Sequence, residues 1–514
     1  MIVADIEFEK ELFSVANKLR GMIAPSEYKN YVLPLIFLRY LSLKYEQRRD
    51  EINQQLINSK YSKDQIENEK ILEDRTEYLK ENVFYIPIKA RWNYLQKNAN
   101  GDKIKEIIDS AMEILESEYK ELEGVLPKIF KGSNIPNEVI SELIKLFSEQ
   151  IFSAHDGRDV DLLGRVYEYF ISNFASTEGN RGGEFFTPSS IVKLLVAMLE
   201  PTSGTVYDPA CGSGGMFIQS QQLNKFRSNL KFIGQEQNEL TIKMARMNGI
   251  LHGIFPNIKQ GDTLLNDQFP KLKAETVISN PPFNMKDWGA DRISKTDQRL
   301  VGPVTNSNAN YMWIQHFLYH LKDGGLAGFV IANGALTSNQ IAEKSVRKYL
   351  INNDFVDCVV QLPEKMFFST RIPSALIFLS KNRNGNFECA SRTKEVLFID
   401  ASGRGSLINK KNRVFSDEEI EEIAKVYHSF KFNNDNRYVQ KGFCKKINTE
   451  TIIENNYKLT PTLYTGIEIK VEKEPPFKQV VGEYKAKLKQ QFEESNKLQK
   501  KIIKNLDDLN LEDF

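Results

Sequence analysis

Asn280, Pro281, Pro282 and Phe283 gather an amide, a stiffened main chain and an aromatic ring into four consecutive residues. Residues 275–279 ahead of them form a short apolar run bounded by turn formers, the pattern of a buried strand. Two prolines at a strand end remove two backbone donors and stop the ladder, leaving the carbonyl of Pro281 without a strand partner. The Asn280 side-chain oxygen and that carbonyl can accept the two N–H bonds of a planar exocyclic amine, with Phe283 stacked on its ring. The same residues also make an ordinary proline-rich turn. Taken alone they fit either description.

A second set of reactive residues lies upstream. Asp208, Glu236 and Asp262 each close a short strand-like run, over 205–208, 231–236 and 258–262. Pro209-Ala210-Cys211-Gly212-Ser213-Gly214-Gly215 follows the first, and glycines after a strand let the backbone approach a ligand and open a helix. An acid at the end of the second strand commonly takes ribose hydroxyls. Three acids on successive strands therefore outline one crevice along a sheet edge. The ligand is not held by a P-loop, because no G-x-x-x-x-G-K-[ST] occurs. A dinucleotide pyrophosphate would be repelled by Asp208 before the glycine turn, whereas the cationic methionyl end of S-adenosylmethionine meets no such objection. An amine grip beside a methyl donor implies methyl transfer to an amine. Ahead of both sets, Thr187-Pro188 is a helix-start signal after a glycine-rich loop over 179–186, with Pro188 expected at the first helical position. Its free N–H groups can seat a carboxylate, or it can be a plain capped helix.

The elements that must position these residues alternate between strand and helix from residue 205 onward. Helices are expected over 216–223, 240–251, 310–321 and 338–350, with further strands over 324–332, 355–362, 374–380 and 395–399. The polar interval 284–309 is read as a mobile loop on the substrate side. Beyond 399 the chain reads as a charged tail of short elements. Residues 1–165 form a helical recognition or assembly domain: Phe8, Leu12, Val15, Ala16 and Leu19 recur at helical spacing, and similar patterns follow over 31–41, 104–122 and 139–147. Its lone His155 has no catalytic spacing around it. Residues 166–465 form the catalytic domain. In the tail, 466–514, Val481, Tyr484, Leu488, Phe492, Leu498, Ile502, Leu506 and Leu509 make an amphipathic helix better suited to a partner than to its own domain.

The totals agree with this division. A chain of 514 residues exceeds one core. With 41% hydrophobic and 27% charged residues it has an ordinary soluble composition, and a formal net charge of +1 gives no basic footprint for nucleic acid. Cys211, Cys358, Cys389 and Cys444 lack metal-ligand spacing, so no metal is expected and a reducing cytoplasm is. No signal segment and no apolar run near the ~20 residues of a membrane span occur, so no membrane partner is expected.

With these residues in this order, the chain resembles the methyltransferase (M) subunit of Type I restriction–modification systems, among the amino-group DNA methyltransferases. The resemblance rests on Gly183-Glu184-Phe185-Phe186-Thr187-Pro188, Asp208 with its glycine turn, Glu236, Asp262, Asn280-Pro281-Pro282-Phe283 and Asn456-Tyr457-Lys458-Leu459-Thr460-Pro461. It implies an α/β fold: a Rossmann-like S-adenosylmethionine-dependent methyltransferase sheet with a helical N-terminal domain and a C-terminal helical tail. It implies that Asn280, Pro281, Pro282 and Phe283 are catalytic, and that Glu184, Phe185, Phe186, Thr187, Pro188, Ser189, Gly212, Ser213, Gly214, Gly215 and Glu236 contact S-adenosylmethionine. Glu236 would hold the ribose, Asp262 the cofactor's adenine amine, and Asp208 the neighbourhood of the methionyl amine. The activity implied is N6-methylation of an adenine flipped from duplex DNA, since cytosine-N4 enzymes more often carry Ser-Pro-Pro and no Pro-Cys dipeptide supports cytosine-C5 chemistry. The implied partners are duplex DNA, a separate DNA-specificity subunit, a restriction/translocase subunit and a second copy of the chain.

Overall fold

The structure, a computed structural model, describes residues 25–62, 65, 70–148, 166–171, 187–223, 229–367, 372–385, 389–408, 412–433, 437–466 and 477–507. The expected helix around Phe8 and Leu19, His155, and the loop carrying Glu184, Phe185 and Phe186 lie outside these residues. The chain divides into two compact units, 1–466 and 467–514.

The first helices follow the apolar periodicity. α1 (Pro25–Asn58) is longer than the 31–41 segment suggested, and Pro34 lies inside it. An interior proline costs about 3 kcal/mol, but Val32, Leu33, Leu35, Ile36, Phe37 and Leu38 around it are all buried. Six such side chains at ~1.5–3 kcal/mol each outweigh the penalty. α2 (Ile104–Glu118) buries Ile104, Ile108, Met112 and Leu115 on one face, and α3 (Asn137–Phe147) buries Val139, Ile140, Leu143 and Phe147. Spacings of three and four residues put each set on one stripe.

Strands then build one large sheet. β1 (Gly204–Asp208), β2 (Leu230–Glu236), β3 (Asn257–Gln260), β4 (Ala274–Ser279), β5 (Leu321–Ala332), β6 (Val356–Gln361), β7 (Ser374–Ser380) and β8 (Glu395–Asp400) belong to it, while β9 (Ser406–Leu407) and β10 (Arg413–Val414) form a separate ribbon. With β11 (Cys444–Asn448) the order is β11-β8-β6-β7-β5-β4-β1-β2-β3. β1 runs parallel to β2 and β4, and β4 parallel to β5; β7 is antiparallel to both β5 and β6. Successive strand residues enter opposite cores, as their period of two requires. Phe329, Ile331, Val359, Ile377 and Phe398 enter one core, and Val330, Val360, Phe378 and Leu397 the other. Burial on both faces explains why these strands read as continuous apolar runs rather than alternating ones.

Helices cover both faces. α4 (Ser189–Leu199), α5 (Gly215–Leu223) and α6 (Glu239–Leu251) lie on one side, α7 (Asn310–His320) and α8 (Ile341–Asn352) on the other, and α9 (Asp417–Phe432) joins α4 and α5. α6 serves two cores. Its Ile242 and Ala245 pack toward the sheet, whereas Met244, Met247, Ile250 and Leu251 join the N-terminal helices, where Tyr40 Oη donates to Leu251 O at 3.3 Å.

Two expectations change. The chain beyond 399 is not only short elements, because α9 has 16 residues and a capping box between Ser416 and Glu419. Its many exposed acids dilute the apolar period. β3 stops at Gln260, so Asp262 lies past Gly261, off the strand. β7 is inserted antiparallel, and a strand buried on both faces carries no mark of its direction in the sequence. In the smaller unit, α10 (Phe477–Asp507) leaves Val481, Tyr484, Leu488, Phe492, Leu498 and Ile502 exposed. Among the described residues no helix is long and apolar enough to cross a membrane.

Candidate active site

The strand order reverses between β1 and β4, with β2 and β3 on one side and β5 on the other. Ligands of open α/β sheets bind outside the carboxyl ends of the strands at such a point. Asp208 ends β1 and Asn280 follows β4, so both flank it, at 2% and 8% exposure. Ser279 links them, its Oγ donating to Asp208 Oδ1 at 2.7 Å, and the Ala210 N–H donates to the same oxygen at 3.0 Å. Burial pushes the Asp208 carboxyl up to about 7, with the Glu236 charge acting in the same direction and the two hydrogen bonds against it.

The glycine turn lies beside Asp208. Gly212 and Gly214 have φ of +50° and +78°, which glycine adopts without strain, and a side chain at Gly212 or Gly215 would meet no atom within 4 Å. The Gly212 N–H donates to Glu236 Oε2 at 3.1 Å, while Glu236 Oε1 accepts from the N–H groups of Gln237 and Asn238 at 2.8 and 3.1 Å. Glu236 is thus fixed between the turn and the start of α6. The Ser213 carbonyl accepts from Asn248 Nδ2 at 3.0 Å. Asp262 folds into its own turn, Oδ1 accepting from the N–H groups of Leu264 and Leu265 at 3.0 and 3.2 Å. Cys211 is buried and its thiol held well above the ordinary range by that burial, which suits packing rather than nucleophilic chemistry.

Thr187 reaches Asn280 from the start of α4. Asn280 Nδ2 donates to Thr187 Oγ1 at 2.8 Å, and Asn280 Oδ1 is buried with no partner among the described residues. The hydroxyl therefore takes the donor end of the amide and leaves the acceptor end available. Pro188 is the N-cap rather than the first helical residue, which is Ser189. Proline is equally suited there, because the cap contributes its carbonyl and not its N–H to the helix. Phe283 is 9% exposed and meets Phe367 edge to face, with centroids 5.6 Å apart at 82°.

The interval 284–309 is anchored rather than loose. Trp288 is buried and its Nε1 donates to Thr305 O at 2.8 Å. Arg299, also buried, donates to the carbonyls of Thr263 and Leu264 at 3.1 and 2.8 Å, next to Asp262. Its charge is met by Asp297 two residues away. The buried cation of this polar stretch is thus paired within the protein. Ser279, Thr187 as the partner of Asn280, and Arg299 are site residues that spacing alone did not single out.

Asp267, His316 and His320 bring three ligand atoms within 4.8 Å of one another. Their nitrogens are already engaged: His320 lies 3.0 Å from both Asp267 Oδ2 and Leu272 O, and His316 lies 3.1 Å from Tyr207 Oη and 3.3 Å from the Arg299 guanidinium. Burial, with His320 and Arg299 adding to it, holds His316 well below its ordinary value and hence neutral. A cation there would displace these bonds and face a guanidinium. The cluster is scaffold.

The reversed sheet with acids and glycines at its carboxyl edge defines a Rossmann-like S-adenosylmethionine-dependent methyltransferase fold. Residues 158–473 match the family described as N-6 DNA Methylase, and residues 8–147 match the one described as HsdM N-terminal domain. The methylase subunit of the Type I restriction enzyme MjaIX from Methanocaldococcus jannaschii is 38% identical over 98% of this chain and 91% of its own length. That of HindI from Haemophilus influenzae is 36% identical over 83% of this chain and 100% of its own. A crystal structure of the type I restriction-modification system methyltransferase subunit from Streptococcus thermophilus aligns with a TM-score of 0.74 at 27% identity, covering 90% of this chain and 99% of that one. The chain belongs to the N-6 DNA methylase family, among the methylase subunits of Type I restriction enzymes. It is an adenine-specific DNA methyltransferase, and the family implies S-adenosylmethionine as the methyl donor.

Proposed function

We propose that Asn280, Pro281, Pro282 and Phe283 grip an adenine flipped out of duplex DNA while its N6 is methylated, inside a complex whose sequence specificity comes from another subunit. The observation that carries this is the Asn280 amide, held at Nδ2 by Thr187 with Oδ1 buried and unpartnered among the described residues. A buried acceptor without a partner costs about 1–3 kcal/mol, and such an atom is expected where a ligand supplies the missing donor.

The residues at the reversal point fit S-adenosylmethionine. Gly212 and Gly215 border open space, Asp208 suits a cationic amine, and Glu236 keeps carboxylate oxygens beside the turn for ribose hydroxyls. Asp262 Oδ2 is the oxygen assigned to the cofactor's adenine amine, since Oδ1 closes its own turn. Residues 184–189, with Ser213 and Gly214, complete the assigned cofactor contacts. When bound, the cofactor supplies an electrophilic methyl group on a cationic sulfur.

Asn280 Oδ1 and the Pro281 carbonyl accept the two N6 hydrogens of the target. As positive charge develops on that nitrogen these bonds strengthen, which draws its lone pair out of the ring and holds it in line with the methyl carbon. Flipping costs a few kcal/mol, of which stacking on Phe283 returns roughly 1–3 kcal/mol. No base need remove a proton before attack; one N–H proton leaves to water afterwards.

Residues 1–165 serve recognition and assembly, 166–465 catalysis, and 466–514 docking, the exposed apolar row of α10 meeting a partner subunit. The partners are duplex DNA, a DNA-specificity subunit, a restriction/translocase subunit and a second copy of this chain, in the cytoplasm. Labelled methyl transfer to DNA, by the chain alone and with a candidate specificity subunit, tests the reading. Nucleoside analysis should return N6-methyladenine that disappears in Asn280→Ala. Label confined to RNA or protein would refute it.

A further inference from the structure

Asn284, the residue after Phe283, has φ of +53°. Residues other than glycine visit this left-handed region rarely, asparagine more readily than most because its short amide can bond locally, and the surroundings decide whether it is kept. Here the surroundings are two amides from the start of α7. The Asn284 N–H donates to Asn310 Oδ1 at 3.0 Å, and Asn310 Nδ2 donates back to Asn284 Oδ1 at 2.9 Å. Asn308 Nδ2 adds a second donor to that oxygen at 3.2 Å, while Asn308 Oδ1 accepts the Asn310 N–H at 2.8 Å. One residue on, the Ala309 N–H donates to Met285 O at 3.0 Å, so main chain is tied to main chain as well.

We propose that Asn310 is a positioning residue for the catalytic tetrapeptide, a role resting on the base-gripping function assigned above. Asn310 is 5% exposed and is the first residue of α7, whose Tyr311, Met312, Trp313 and Phe317 are buried against the sheet. The helix cannot shift without unpacking that core. The lip made by residues 280–283 is therefore fixed at both ends, by β4 before it and after it by the bonds from residues 308–310, of which the Asn310 amide alone grips both the N–H and the side chain of Asn284. Releasing the second end lets Asn284 relax out of the left-handed region. That rotates the chain leaving Phe283 and moves the Pro281 carbonyl and the ring together, while Asp208, Glu236 and the glycine turn stay where they are. The lost quantity is alignment of the target amine, not affinity for the methyl donor.

The test uses the full chain reconstituted with its DNA-specificity partner, and compares Asn310→Ala, the double variant Asn310→Ala/Asn284→Gly, and Asn280→Ala as reference. Asn310→Ala should lower kcat for N6-methylation about 10- to 100-fold, the scale of a misplacement near 1 Å, with the KM for S-adenosylmethionine changed less than about threefold. Glycine adopts positive φ without strain, so the double variant should recover at least about fivefold over Asn310→Ala. A residue that merely supports folding gives no such rescue, and loses cofactor affinity and unfolding midpoint together with kcat. Activity of Asn310→Ala within about twofold of wild type, or a loss that Asn284→Gly does not restore, overturns the proposal, provided Asn280→Ala is inactive in the same assay. Full activity in Asn280→Ala would instead remove the base grip itself, and this role with it.

Discussion

Tyr207 and Asp208 are neighbours on β1 and both are buried, yet their polar groups are treated in opposite ways. Tyr207 Oη lies 3.1 Å from His316 Nε2, and from there Arg299, Asp297, His320 and Asp267 continue a network in which each group meets another protein group. Around Asp208 the balance is different. Its carboxyl is pushed up to about 7 by burial, and Asn280, one residue past its partner Ser279, keeps an oxygen with no partner among the described residues. A closed network specifies the fold. An open valence in equal burial is costly, and Asn280 Oδ1 is one that a ligand at the strand ends can complete.

The contrast predicts that damage to the closed side appears as lost stability and damage to the open side as lost turnover. The largest effect is expected on the closed side. Asp267→Ala leaves His320 buried without its acid and should lower the unfolding free energy by about 3–5 kcal/mol, read by denaturant titration. The kcat of the molecules that remain folded should stay within about threefold of wild type. Asn280→Ala comes next, with kcat lower by at least about 100-fold, close to 3 kcal/mol.

Asp208→Asn sharpens the contrast through pH. The folded value of about 7 lies above the unfolded carboxylate value of about 3.9, so this group's stability contribution is fully present below pH ~4 and is lost as pH rises through about 7. Asparagine never ionises. The variant should exceed wild type in unfolding free energy at pH 8 by on the order of 2–4 kcal/mol, yet bind S-adenosylmethionine at least about tenfold more weakly by calorimetry. For wild type, binding should tighten as pH rises through about 7. The smallest effect belongs to Thr187→Val, which removes the acceptor of Asn280 Nδ2 and should lower kcat about 5- to 10-fold, the scale of one hydrogen bond.

Much of the open side was legible before the fold was known, because the required residue types are unusual where they stand. Two prolines closing a strand, an acid before a glycine turn and acids ending both β1 and β2 have few purely structural uses in combination. What the sequence hides is pairing at long range. Asn280 and Thr187 are far apart in the chain, and nothing local says that the hydroxyl takes the donor end of the amide. Arg299 lies in the polar interval 284–309, and nothing in that interval says that its guanidinium is buried against the carbonyls beside Asp262. His316 and His320 meet Tyr207 and Asp267, which are distant in the chain and which no local pattern names. The direction of β7 and the length of α9 escaped for the same reason, since both are settled by neighbours that the local pattern does not name.

The most direct test measures kcat for DNA N6-methylation and the unfolding midpoint together, on Asn280→Ala in the full chain with its specificity partner. Removing an unpartnered buried oxygen gains about 1–3 kcal/mol, against about 1 kcal/mol for the lost bond to Thr187. The account predicts at least a ~100-fold fall in kcat with a midpoint equal to or above that of wild type. A kcat within about threefold of wild type, or a midpoint lowered as far as in Asp267→Ala, would contradict it.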